Sequence, residues 1–161
     1  MRRDLIPSRY AEYKTCDNPI ELDDESSGSH AVYLAHNPNH ETFYYYKPDE
    51  HKPSEPRCDY FLISNSIDIT PRFIELKGSD KSRMGKSGLT EWGHAFHQLY
   101  NTYEEFKTYI DSKEMVFVLC TSIDDRKRTS ARYKKYKWYK KLQNMPGKII
   151  VLYRDDYDVF D

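Results

Sequence analysis

Hydrophobic and polar positions divide this chain into elements of clear type. At its centre lies 58–77, CDYFLISNSIDITPRFIELK, where apolar and β-branched residues fill 60–63 and 73–76. Asn65, Ser66, Asp68 and Pro71 punctuate the middle, so the segment predicts two strands joined as a hairpin. Downstream, Trp92, Phe96, Leu99, Tyr103, Phe106 and Ile110 recur at steps of four and three. That is the apolar stripe of a helix running from a Thr90 cap to about Ile110, with His94, Gln98 and Asn101 on its polar flank. MVFVLCT at 115–121 is a continuous apolar run, the pattern of a strand buried on both faces, and KIIVLY at 148–153 is a second. Between them RKRTSARYKKYKWYKK, 126–141, predicts a helix stopped by Pro146-Gly147.

The amino-terminal third is more broken. Ser8 can cap a short helix over 8–15, and AVYLA at 31–35 and TFYYYK at 42–47 predict two strands joined by an Asn- and Pro-rich turn. Pro48, Pro53 and Pro56 mark an exposed connector leading into the hairpin. The acidic carboxyl terminus, RDDYDVFD, is expected to cover an edge. The order strand, strand, helix, strand predicts an α/β (α+β) fold, a central mixed sheet flanked by helices.

Length, 161 residues, is that of a single domain with room for a core. Fifteen tyrosines imply a core that is partly amphipathic, since tyrosine buries area and keeps a polar tip. A net charge of −1 conceals an asymmetry: six acids against Lys14 in 12–25, nine Lys/Arg and no acid in 126–141. A near-neutral total therefore does not exclude a nucleic-acid partner. Cys16, Cys58 and Cys120 show no CxxC spacing, and no apolar stretch reaches 18 residues. The expectation is a soluble, cytoplasmic protein with reduced thiols and no membrane partner.

Candidate chemistry enters through the hairpin. Antiparallel partners share a constant sum of positions, and Asp59 and Glu75 centre on Ile67, inside the turn. Opposed side chains lie roughly 5 Å apart at Cβ, so the two carboxylates repel unless a proton or cation sits between them. Lys77, two residues past Glu75, shares its face. Hard carboxylate oxygens suit Mg²⁺, which takes one or two of them and leaves its remaining positions to water and substrate oxygens. A lysine beside such an ion can orient or deprotonate the attacking water.

Asp59, the hairpin, Glu75-Leu76-Lys77 and Gly78 together resemble the PD-(D/E)XK nuclease superfamily, and Glu91–Phe106 resembles the helix that follows its active-site strand. The resemblance covers about 50 residues, Pro56 to Phe106, with Cys58 where the motif has proline. It implies a Mg²⁺- or Mn²⁺-dependent endonuclease acting on DNA. Asp59 and Glu75 would hold the metal, Lys77 would position water, and Gln98 would touch the lysine or substrate. It also implies a third acid on an early element, with Glu12, Glu21 and Glu25 as candidates, and small members commonly serve restriction, repair or defence against mobile elements. Such nucleases often act as homodimers or with a partner protein. The competing reading is a non-catalytic nucleic-acid- or protein-binding module with a nuclease-like fold. A degenerate member would be expected to have lost one of Asp59, Glu75 and Lys77.

Basic residues supply the nucleic-acid expectation. The loop after Lys77 carries Lys81, Arg83 and Lys86, and 126–141 carries Arg128, Arg132, Lys134, Lys135 and Lys137 among its nine cations. Such side chains bind phosphates without reading sequence, and the interleaved Tyr133, Tyr136, Trp138 and Tyr139 offer rings to stack on bases. No Walker spacing is present, and His36, His40 and His51 lack the spacing of a zinc site.

Overall fold

The computed structural model describes residues 4, 6–24, 31–51, 54–66, 68–78, 86–110, 114–122 and 133–160, with backbone only for 86–91 and 133. Glu25, Lys81, Arg83, Arg128 and Arg132 lie outside the described residues, as does the Lys86 side chain. Eight strands are described: β1 (Tyr13–Thr15), β2 (Ile20–Asp23), β3 (Val32–Ala35), β4 (Phe43–Tyr46), β5 (Tyr60–Ser64), β6 (Arg72–Lys77), β7 (Val116–Thr121) and β8 (Lys148–Leu152). With them go three α-helices, α1 (Pro48–His51), α2 (Lys86–Phe106) and α3 (Lys137–Gln143).

The predicted mixed sheet is present, with strand order β1-β4-β5-β6-β7-β8, while β2 and β3 form a separate two-stranded sheet. β5 and β6 are the expected antiparallel hairpin, and Tyr60 faces Ile74, Phe61 faces Phe73 and Leu62 faces Arg72. β7 runs parallel to β6 and β8 parallel to β7, with α2 and α3 in the two connections. Parallel pairs need such crossovers because a tight turn cannot return the chain in the same direction.

Side-chain alternation sorts the sheet into two faces. Phe61, Phe73, Phe117 and Leu119 pack under Trp92, Phe96, Leu99, Tyr103 and Phe106 of α2 and Tyr139 and Leu142 of α3. Leu62, Ile74, Val116, Val118 and Cys120 pack against Ile20, Leu22, Tyr33 and Ala35 of the small sheet. Five of the six stripe residues thus lie on the buried face of α2; the helix ends at Phe106, earlier than expected, and Ile110 is buried beyond it.

Four local expectations change. Residues 8–15 form a turn, Tyr10 N–H donating to the Pro7 carbonyl, and then β1, because Tyr13–Thr15 pair with Phe43–Tyr45 and that ladder outweighs a single capped turn. β3 and β4 are adjacent in sequence but belong to different sheets, since β3 pairs with β2. α2 begins at Lys86, which places Thr90 inside the helix. β8 is the sheet's edge and only partly buried, unlike β7. Gly147, just before β8, has φ +137°, and a Cβ there would lie 2.0 Å from the Met115 carbonyl oxygen, so only glycine fits.

The acidic terminus closes the edge of β3. Asp158 bridges Ala35 in parallel, and its carboxylate accepts from the Tyr33 hydroxyl at 2.7 Å and from Arg72 Nε at 3.0 Å. Arg72 and Asp158 are both buried, so a compensated ion pair sits between the two sheets. No helix among the described residues is long and apolar enough to cross a membrane.

Candidate active site

The observed register of the hairpin, extended by one pair, sets Asp59 opposite Glu75. Both stand on the helix-side face, at the end of the sheet where β6 finishes. Asp59 lies just before β5, and its Oδ2 accepts the backbone N–H of Leu76 at 2.6 Å, which ties the start of one strand to the end of the other. Two side chains on α2 hold that approach in place. Thr102 Oγ1 accepts the Cys58 N–H at 2.8 Å, and Gln98 Nε2 donates to the Arg57 carbonyl at 3.0 Å.

Glu75 is 1% exposed, on the same face as the core residues Phe73 and Leu119. One oxygen, Oε1, lies 2.7 Å from Lys77 Nζ. The other, Oε2, is buried and has no hydrogen-bond partner among the described residues. A carboxylate oxygen left bare in a buried site costs free energy unless a proton or cation meets it. Burial drives the Glu75 pKa upward, Asp59 pushes it further, and Lys77 opposes both. Asp59 is pushed up to about 7, first by burial, with the Leu76 N–H pulling the other way. Two facing acids with raised pKa values share a deficit of positive charge.

The acids whose charge reaches this pair are Asp49 and Asp24. Asp49 raises both Asp59 and Glu75, Asp24 raises Asp59, and Asp49 itself is pushed up to about 6 by burial. Asp49 belongs to α1, where the sequence suggested an exposed connector. Its signal was present: Pro48 followed by Asp49 and Glu50 has the composition of a helix's first turn. Glu12 instead accepts a hydrogen bond from the Tyr46 hydroxyl at 2.9 Å, and Glu21 is exposed on β2. Among the described residues no three His, Cys, Asp or Glu side chains form a ready-made cage for a metal. The arrangement matches an ion that takes two carboxylates and completes its shell with water and substrate.

Gln98 does not reach Lys77 in this conformation; its amide nitrogen serves the Arg57 carbonyl and its Oε1 is buried without a partner. His94, three residues before His97 on the same flank, feels Lys77: its pKa is lowered by burial and then by the charge of Lys77. Lys134, Lys135 and Lys137 are exposed. The rings interleaved with them turn inward: Tyr139 is buried, Tyr136 lies where a Cβ on Gly93 would meet its ring at 3.2 Å, and Trp138 stacks on His97 at 4.0 Å. Compared with family models, curated proteins and solved structures, the chain gives no significant match.

Proposed function

We propose that this protein is a metal-dependent nuclease that hydrolyses phosphodiester bonds in DNA, with Asp59, Glu75 and Lys77 as its working residues. The observation that carries the reading is the bare, buried Oε2 of Glu75, opposite Asp59 in the ladder and on the carboxylate whose other oxygen holds Lys77. Two hard oxygen donors facing each other suit Mg²⁺ or Mn²⁺. Bound there, such an ion would polarise a phosphate oxygen and make water easier to deprotonate.

Each residue has a task the fold equips it for. Glu75 would present Oε2 to the cation, while its Oε1 fixes the Lys77 ammonium. Asp59 is immobilised by the Leu76 N–H, so its second oxygen points from a fixed base. Lys77 is partly exposed, where it can orient the attacking water and offset charge growing on the phosphate. Gln98 acts on this reading as a positioning residue, since it holds Arg57 two residues before Asp59.

The test is cleavage of supercoiled and linear plasmid, single-stranded DNA and RNA with Mg²⁺ or Mn²⁺. Metal-dependent cutting of DNA is the expected result. A folded protein that cuts none of these substrates overturns the proposal.

A further inference from the structure

The flank of α2 continues away from Lys77 as an ordered row of side chains. His94 and His97 have ring centroids 6.2 Å apart. His97 lies flat on Trp138, with 4.0 Å between centroids and 15° between planes, and Asn101 Nδ2 is 3.0 Å from His97 Nε2. Over Trp138 stand two ammonium groups, Lys141 Nζ at 4.4 Å and Lys137 Nζ at 5.1 Å from the ring centroid. Lys141 also lies 5.3 Å from the Tyr100 ring.

These cations are therefore held by rings and not by carboxylates. Among the described residues Lys134, Lys135, Lys137, Lys140 and Lys141 pair with no acid. The acids of α2 whose side chains are described, Glu104 and Glu105, engage Lys107 and the arginines Arg9 and Arg57. From 126 to 154 the sequence contains no acid at all. An ammonium over an aromatic face keeps its N–H donors and its charge available, while losing much of the side-chain freedom that a surface lysine would otherwise give up on binding.

We infer that this row, Lys137 and Lys141 with His94, His97 and Asn101, is a track for the phosphate backbone of double-stranded DNA that leads to the carboxylate pair. The inference rests on the nuclease reading for the direction in which the track leads. Charge complementarity selects a polyanion, and the aromatic rings select the duplex. Trp138, Tyr136 and Tyr139 are engaged within the protein, so they offer no platform for the unstacked bases of a single strand. A duplex keeps its bases stacked and presents phosphates alone, which is what fixed ammonium groups recognise.

The test is fluorescence anisotropy of a random-sequence DNA duplex, the matching single strand and poly-glutamate. It is run in EDTA on the full chain over about 50–200 mM salt. The duplex is expected to bind tightest, with log K falling linearly against log salt. Lys137→Gln/Lys141→Gln is expected to reduce that slope by about 0.9 per lysine removed. Lys134→Gln/Lys140→Gln, which removes two exposed lysines outside the row and leaves the Trp138 contacts intact, is expected to change the slope less. An unchanged slope in Lys137→Gln/Lys141→Gln, preference for the single strand, or equal competition by poly-glutamate each overturn the inference. Because metal is absent, binding without later cleavage sinks the nuclease reading and leaves the track, whereas cleavage with unchanged slopes does the reverse.

Discussion

Lys77 Nζ lies 2.7 Å from Glu75 Oε1, while the second oxygen of that carboxylate is buried and bare. The pair is asymmetric for a structural reason. Glu75 sits within the sheet among core residues, and Lys77, the last residue of β6, reaches the surface. One carboxylate thus faces an internal cation on one side and an open electrostatic deficit on the other.

Removing either partner separates structure from chemistry. Glu75→Gln keeps the shape but deletes a buried charge, so stability in metal-free buffer is expected to hold or rise while cleavage falls by about 10²–10⁴-fold. Lys77→Ala is expected to lower single-turnover cleavage to a similar extent. Both are read from initial rates beside urea denaturation.

Acidity gives a second expectation. In the folded protein Asp59 titrates at about 7 against an ordinary value of 3.8. Between these values the folded state holds a proton the unfolded chain has lost, so the Asp59 contribution is complete at low pH and declines as pH rises through that window. The stability of Asp59→Asn relative to the natural protein should therefore increase from about pH 4 to about pH 7 without metal. A difference that stays flat or decreases across urea denaturation curves in this range contradicts the raised pKa.

The support under Asp59 is testable at Thr102, whose hydroxyl accepts the buried Cys58 N–H at 2.8 Å. Thr102→Val leaves that donor unsatisfied at a cost of about 1–3 kcal/mol. Cleavage should fall as well, because Cys58 precedes Asp59. Thr102→Ser should restore both.

On the opposite face of the sheet, Asp158→Ala strands the buried Arg72 and should cost about 3–5 kcal/mol. The double variant Arg72→Met/Asp158→Leu should regain most of that loss. Activity per folded molecule should not change in either, since Arg72 points away from Glu75 across β6.

Much of this was legible because the hairpin carries strong local signals. A sum rule centred on Ile67 gives the register of the ladder, which extends to Asp59 and Glu75, and steps of three and four name the large buried residues of α2. What was illegible depends on distant partners. Nothing in 8–15 announces that Tyr13 will pair with Tyr45, and nothing in 31–35 announces that β3 will turn to β2 and leave β4 to the larger sheet. Asp49 was hidden by its prolines, which read as a connector but start a short helix. The inward turn of Tyr136 follows from α2 having room for its ring at Gly93, and that of Trp138 and Tyr139 from His97 and Phe96 on the same helix, packing facts no periodicity encodes.

The central claim, that Glu75 and Asp59 form a cation site, is tested most directly by calorimetric titration of the metal-free protein with Mn²⁺ near pH 6.5. Binding accompanied by release of protons is predicted, since the raised carboxyls must ionise to coordinate. Glu75→Gln and Asp59→Asn should abolish the binding, and Lys77→Ala should retain it. Equal Mn²⁺ affinity in Glu75→Gln and the natural protein would contradict the account.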